Sequence, residues 1–176
     1  MTELWVFGYG SLIWRPSFPH IERRVARLVG AHRALCVYSW VHRGTREKPG
    51  LVLGLDRGGA CRGIAFRVAP EAWEGVVGYL REREQVTAVY LERRREVRFA
   101  DGSVAAALTY LVDRRHAQYA GKLDEETQFQ IVAQARGQSG DNRTYVLNTA
   151  AHLAELGMSD GALDRLANRL KLRGTG

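Results

Sequence analysis

Residues 89–112 read VYLERRREVRF, then ADGS, then VAAALTYLV. Two strand-like runs, Val89–Phe99 and Val104–Val112, flank a turn containing Asp101-Gly102, a strong signal for a tight antiparallel hairpin. The same grammar recurs upstream. Leu51–Asp56 and Ala60–Val68 flank Arg57-Gly58-Gly59, which predicts a second hairpin. Arg24–Val29 and Ala34–Ser39 read as two further strands, and Leu4–Phe7 as a short one that breaks at Gly8. Between them Trp40–Gly50 is polar, with Gly and Pro, and reads as a loop. Most strands are therefore joined by turns and not by helices. That argues against a doubly wound parallel sheet and for an α+β fold with a mixed or largely antiparallel sheet, able to curl into a barrel.

The helical parts lie around this sheet. Pro70 opens a helix at a position that tolerates its missing N–H. Beyond Asp124 the pattern turns helical, roughly over Asp124–Arg136, Asn142–Leu156 and Asp160–Leu172. No repeat or low-complexity linker divides the 176 residues, so a single domain over 1–176 is expected. A chain of this length buries enough surface to need no disulfide or metal staple.

Composition narrows the function. With 45% hydrophobic and 26% charged residues the chain is globular in character. No run approaches the roughly 18 apolar residues of a membrane helix. The start, Met1-Thr2-Glu3-Leu4-Trp5, has no basic segment followed by an apolar one, so a cytoplasmic location is expected. Cys36 and Cys61 stand far apart, with no CxxC, and read as core residues. The histidines (His20, His32, His42, His116 and His152) show no ligand spacing, so no metal site is expected. The formal charge of +7 admits a nucleic-acid partner. Its arginines are scattered, however, as at Arg93-Arg94-Arg95 and Arg114-Arg115, which reads as a solvated surface. Neither a nucleic-acid nor a membrane partner is expected, and the oligomeric state is not legible.

Two features carry chemistry. The first is Phe7-Gly8-Tyr9-Gly10-Ser11-Leu12-Ile13-Trp14, directly after the first strand. Two glycines one residue apart allow a sharp turn, and a backbone nest of N–H groups could face a carboxylate or an oxyanion. A dinucleotide fingerprint would need Gly where Ile13 stands. A glycine turn that merely ends a strand explains the spacing equally well.

The second is the helix after Pro70. Trp73, Val77, Leu80 and Glu84 are spaced four, three and four residues apart and share one stripe at ~100° per residue. Glu82 points nearly the opposite way. If the helix reaches residue 84, Glu84 is a carboxylate on the buried face, where desolvation raises its pKa and suits it to acid/base work near neutrality. If the helix ends near Arg83, Glu84 is a solvated loop residue.

With these features in view, the sequence resembles the ChaC-type γ-glutamylcyclotransferases, which act on glutathione. Trp5-Val6-Phe7-Gly8-Tyr9-Gly10-Ser11-Leu12-Ile13-Trp14 matches their N-terminal motif. His42-Arg43-Gly44-Thr45 with Lys48-Pro49-Gly50, Cys61-Arg62-Gly63-Ile64-Ala65-Phe66-Arg67, and Tyr79-Leu80-x-x-Arg83-Glu84 match the next three. Gly137-x-Ser139-Gly140-x-Asn142-x-x-Tyr145 matches the last. The resemblance implies a mixed, largely antiparallel β-barrel with flanking helices, no cofactor, and cleavage of glutathione to 5-oxoproline and Cys-Gly. It implies that Glu84 is the general acid/base, and that Tyr9, Gly10, Ser11 and Leu12 hold the γ-glutamyl group. Tyr145 and Tyr90 are implied as pocket residues. After Glu84 the chain departs from members carrying Gly-Gly-Tyr or Thr-Gly-x-Tyr, since it has Gln85-Val86-Thr87-Ala88-Val89-Tyr90. A cyclotransferase for another γ-glutamyl amine would use the same residues. A non-catalytic basic binding module on the same fold would be marked by a substituted Glu84 or clustered basic and aromatic residues, and neither is present.

Overall fold

The computed structural model describes residues 2–84 and 88–173. Two units are distinguished, Met1–Ala34 with Leu55–Asp113 and Leu35–Gly54 with Arg114–Gly176. The expected contrast between Gln85-Val86-Thr87 and other members lies outside the described residues.

The first unit holds most of a closed five-stranded barrel, while residues 35–39 and 50–54 of its two long strands belong to the second. The strands of the barrel are β1 (Leu4–Gly8), β2 (Glu22–Ser39), β3 (Gly50–Val68), β4 (Tyr90–Phe99) and β5 (Val104–Val112). They run in the order β1-β3-β2-β4-β5. β1 lies antiparallel to β3, with Val6 opposite Phe66, and closes the barrel by parallel pairing with β5, where Trp5 meets Ala107. β4 and β5 form the expected hairpin, with Arg98 opposite Val104, and β2 pairs antiparallel with β4. Alternate side chains fill the interior: Trp5, Phe7, Ala26, Leu28, Leu55, Ala65, Val97, Phe99 and Ala107 form one apolar cluster. The mixed, largely antiparallel barrel expected from the resemblance is the one observed.

Two sequence readings need correction. Arg57-Gly58-Gly59 is not a hairpin turn, because β3 runs straight through it, and Arg24–Val29 and Ala34–Ser39 are parts of the single strand β2. The glycines bend these long strands without reversing them. Gly30 has φ 100°, Gly58 101° and Gly59 68°, conformations that serve a bulge as well as a turn. On β2, the bend moves the buried set from residues 26 and 28 to residues 31, 33 and 35.

A single 3₁₀ turn, Pro70–Ala72, leads into a helix over Trp73–Glu84. A shorter helical turn, Ser11–Trp14, follows β1. In chain order these two helices are α2 and α1.

The second unit carries α3 (Glu125–Gln134), α4 (Asn142–Glu155) and α5 (Gly161–Arg173). Phe129, Val132, Val146, Leu153, Leu163 and Leu170 form their buried faces. Two of the helices begin at aspartate caps: Asp124 accepts from the Thr127 N–H at 2.7 Å, and Asp141 from the Thr144 N–H at 2.6 Å. Between α3 and α4, β6 (Arg136–Gly137) and β7 (Gly140–Asp141) make a two-residue ladder. Among the described residues no helix is long and apolar enough to cross a membrane.

Candidate active site

The glycine loop leaves β1 at Gly8, which pairs with Ile64 of β3. A Cβ on Gly63 would lie 2.2 Å from the Gly8 carbonyl oxygen, so only glycine fits there. Tyr9 is half-buried and packs against the barrel core. Its carbonyl oxygen accepts a 2.6 Å hydrogen bond from Nε of Arg33, which also donates through Nη2 to the Arg62 carbonyl at 2.7 Å. Gly10 is buried, with φ −138°, and its carbonyl accepts from the Ile13 N–H. No residue from 8 to 12 has positive φ, so the expected nest of alternating hand is not formed. The chain turns into α1 instead. The N–H groups of Ser11 and Leu12 open that turn and have no partner within it. The Leu12 side chain is buried.

Glu84 is the last residue of α2, so the helix does reach it. Val76 and Leu80 are the fully buried residues of this face, and Glu84 continues their four-residue spacing. The apolar stripe is thus centred on Val76, where Val77 was expected; Trp73 and Val77 lie half-buried at its edge. The side chain of Glu84 is only 17% exposed, whereas Glu82 is exposed. Burial pushes the Glu84 carboxyl above its ordinary value, and the charge of Arg83 pulls it partly back. Nε of Arg83 lies 3.9 Å from Oε1 of Glu84.

Arg83 ties this carboxylate to the loop. Its Nη2 donates to the hydroxyl of Ser11, and its Nη1 to the Tyr79 hydroxyl at 3.2 Å. Ser11 and Glu84, both sequence candidates, are therefore joined through a residue that the sequence reading valued only as part of a motif.

A second network near Glu84 was not foreseen. The Tyr110 hydroxyl donates to Oε1 of Glu92 at 2.8 Å, and Arg81 grips both oxygens of Glu92 at 3.0 Å. Arg81 thereby holds the Glu92 carboxyl below its usual range, with help from Tyr110. Burial pushes the Tyr110 hydroxyl strongly upward, as do the bond to Glu92 and the charges of Glu92 and Glu84. The only sequence signal for this network was Glu92 and Tyr110 facing each other across the predicted hairpin.

Tyr90 opens β4, half-buried and opposite Val112. In the second unit, Tyr145 on α4 accepts a 3.0 Å hydrogen bond from the Leu53 N–H, and the Arg43 guanidinium lies 5.4 Å above its ring. The other residues of its motif tie loops together. Asn142 is fully buried and both accepts from and donates to the Leu51 backbone at 2.8 Å. Ser139 meets the His42 ring at 2.9 Å, and a Cβ on Gly137 would lie 2.4 Å from the Val41 carbonyl oxygen. Among the described residues no group of three His, Cys, Asp or Glu side chains is placed to hold a metal ion.

Comparison with known proteins places these features in one family. The family model described as ChaC-like protein matches residues 4–173. The glutathione-specific gamma-glutamylcyclotransferase of Escherichia coli (strain K12) is 34% identical over 168 residues, covering 96% of this chain and 73% of its own. The human glutathione-specific gamma-glutamylcyclotransferase 1 is 35% identical over 153 residues, covering 84% and 68%. In fold, a crystal structure of a γ-glutamylcyclotransferase specific to glutathione from yeast superposes with TM-score 0.86 at 22% identity, over 97% of this chain and 96% of that one.

Proposed function

We propose, for a chain that belongs to the ChaC-like protein family, that it is a glutathione-specific γ-glutamylcyclotransferase releasing 5-oxoproline and Cys-Gly. The carrying observation is a carboxylate buried at the end of α2 and joined through Arg83 to Ser11 of the glycine loop. The names and coverage of the relatives support the substrate class.

In the proposed mechanism the loop residues Tyr9, Gly10, Ser11 and Leu12 hold the γ-glutamyl group so that its α-amine lies against its own γ-carbonyl. Holding the two groups in reach supplies much of the rate. The Glu84 carboxylate takes a proton from the α-ammonium. The freed nitrogen attacks the γ-carbon, and the carbonyl electrons move to oxygen. The N–H groups of Ser11 and Leu12 are suited to stabilising that oxyanion. As the tetrahedral intermediate collapses, the bond from the γ-carbon to the cysteinyl nitrogen breaks. Glu84, now an acid, returns its proton to that leaving amine, which takes the second proton of the ring nitrogen as it departs, so the lactam is released neutral and Glu84 is again a carboxylate. Water is not consumed, because the five-membered lactam is closed by the substrate's own amine.

A carboxylate lifted by burial fits both halves of this cycle, being basic enough to accept the proton and acidic enough to return it. Tyr90 and Tyr145 enter this reading as substrate-binding residues through their motif matches alone. A cytoplasmic setting without nucleic-acid or membrane partners belongs to the same proposal.

The test is incubation of the purified protein with glutathione, following 5-oxoproline and Cys-Gly by mass spectrometry. Formation of both in equal amounts is expected. If neither forms, while another γ-glutamyl amide is cyclised, the glutathione assignment falls and the reaction class stands.

A further inference from the structure

We infer that Arg33 binds the α-carboxylate of the γ-glutamyl group, an assignment that rests on the cyclotransferase reading above. The bend of β2 at Gly30 turns residues 31, 33 and 35 to the buried side, and Ala31 belongs to the barrel core. Arg33 follows it and is only 9% exposed. A guanidinium has five N–H donors. Two of its nitrogens donate to backbone carbonyls, Nε to Tyr9 and Nη2 to Arg62. No carboxylate among the described residues pairs with it. Other arginines of the same unit are treated differently. Arg24 pairs with Asp101 at 2.9 Å, Arg67 with Glu22 at 2.9 Å and Arg81 with Glu92 at 3.0 Å, all of them more exposed than Arg33.

A buried cation met only by carbonyl dipoles is an incomplete arrangement, since burial penalises charge that no opposite charge offsets. The planar fork of arginine matches a carboxylate, and such a bond is among the stronger ones available. The position is specific as well. One of the carbonyls that fixes Arg33 belongs to Tyr9, the residue before Gly10 and Ser11. The cation is therefore anchored to the loop that holds the substrate.

This separates two roles that the sequence left merged in the loop. The γ-glutamyl group presents a permanent anion, the α-carboxylate, and a transient one, the oxyanion of the γ-carbon. Arg33 takes the permanent charge. The N–H groups of Ser11 and Leu12 are then left for the transient one, where stabilisation accelerates the reaction instead of merely tightening binding.

The test compares glutathione with its decarboxylated analogue, 4-aminobutyryl-Cys-Gly. The amine of the analogue can still close on its carbonyl, giving 2-pyrrolidinone. The wild type should favour glutathione in kcat/KM by roughly 100-fold, the scale of a charge-assisted bidentate contact. Arg33→Gln should lose about that factor on glutathione, mainly through KM, and change little on the analogue. Arg33→Lys, which keeps the charge without the fork, should fall between. Inhibition by 5-oxoproline against 2-pyrrolidinone repeats the comparison without turnover. An equal loss on both substrates would show that Arg33 only staples the loop, and would overturn the assignment. A wild type that turns over both equally also overturns it, while leaving the cyclotransferase reading intact. A wild type active on neither, nor on any other γ-glutamyl amide, sinks that reading and this one together. Should Arg33→Gln fail to fold by circular dichroism, the substrate ratio of Arg33→Lys decides.

Discussion

Arg83 donates to the hydroxyl of Ser11 across 72 positions of sequence, and the same guanidinium stands 3.9 Å from the Glu84 carboxylate. One side chain thus fixes the loop and biases the carboxylate proposed as the acid/base group. Its charge lowers the Glu84 pKa against the upward push of burial. Replacing Arg83 by Met removes that lowering, so Glu84 holds its proton to higher pH. The acid limb of kcat/KM, which reports the free enzyme's base, should therefore shift upward in Arg83→Met and stay near its wild-type position in Arg83→Lys. Profiles measured across the acidic and neutral range decide this; an unmoved limb in the Met variant would mean that Arg83 acts on the loop alone.

Glu84→Gln should remain folded and lose at least ~100-fold in turnover, the scale of a lost general acid/base. Glu82→Gln, altered on the exposed face, should keep wild-type turnover. Stability should move the other way. A carboxyl whose folded pKa lies above its unfolded value binds its proton more tightly in the folded protein, so stability declines as pH rises through that window. Above the window the ionised, buried group is a standing cost. Glu84→Gln removes that cost, so its Tm at pH about 7 should equal or exceed the wild type's, and the advantage should vanish toward pH about 4, where both are neutral. A Gln variant less stable than wild type at neutral pH would contradict the burial argument.

Ala88 has φ 55°, in the left-handed region, where a Cβ costs roughly 1–2 kcal/mol. Glycine removes that cost but adds roughly 0.4–1 kcal/mol of unfolded-state entropy. Ala88→Gly should therefore raise Tm by about 1–4 °C for a chain of this size. Thermal unfolding by circular dichroism measures it; a lower Tm would show that the neighbouring chain relies on the alanine methyl.

What could be read from sequence was local. Val89–Val112 announced its hairpin because turn and strands are adjacent in the chain. The Glu84 stripe was legible because helix periodicity is local too. Arg57-Gly58-Gly59 misled because positive-φ glycines serve bulges and turns alike, and only the neighbouring strand decides which. Nothing local marked the link from Arg33 to Tyr9 or from Arg83 to Ser11, since each joins separate elements, and for Tyr110 and Glu92 the hairpin offered only their cross-strand register. The last motif was found as a pattern, yet most of its residues near Tyr145 prove to hold loops together.

Asn142 states that last point most sharply. Its Oδ1 accepts from the Leu51 N–H and its Nδ2 donates to the Leu51 carbonyl, both at 2.8 Å, so the side chain pairs with β3 as another strand would. Asn142 and Leu51 are both fully buried. Truncation leaves a backbone donor and acceptor without partners where water does not reach, a cost of about 2–4 kcal/mol. Asn142→Ala should accordingly lower Tm by roughly 5–12 °C. Asn142→Asp should do no better, because a carboxylate cannot donate to the Leu51 carbonyl and would be buried with its charge. Turnover of the folded fraction, assayed well below Tm, should be nearly unchanged in Asn142→Ala. A large fall in kcat with Tm preserved would instead move Asn142 from the scaffold into the chemistry, and with it the reading of the motif that carries Tyr145.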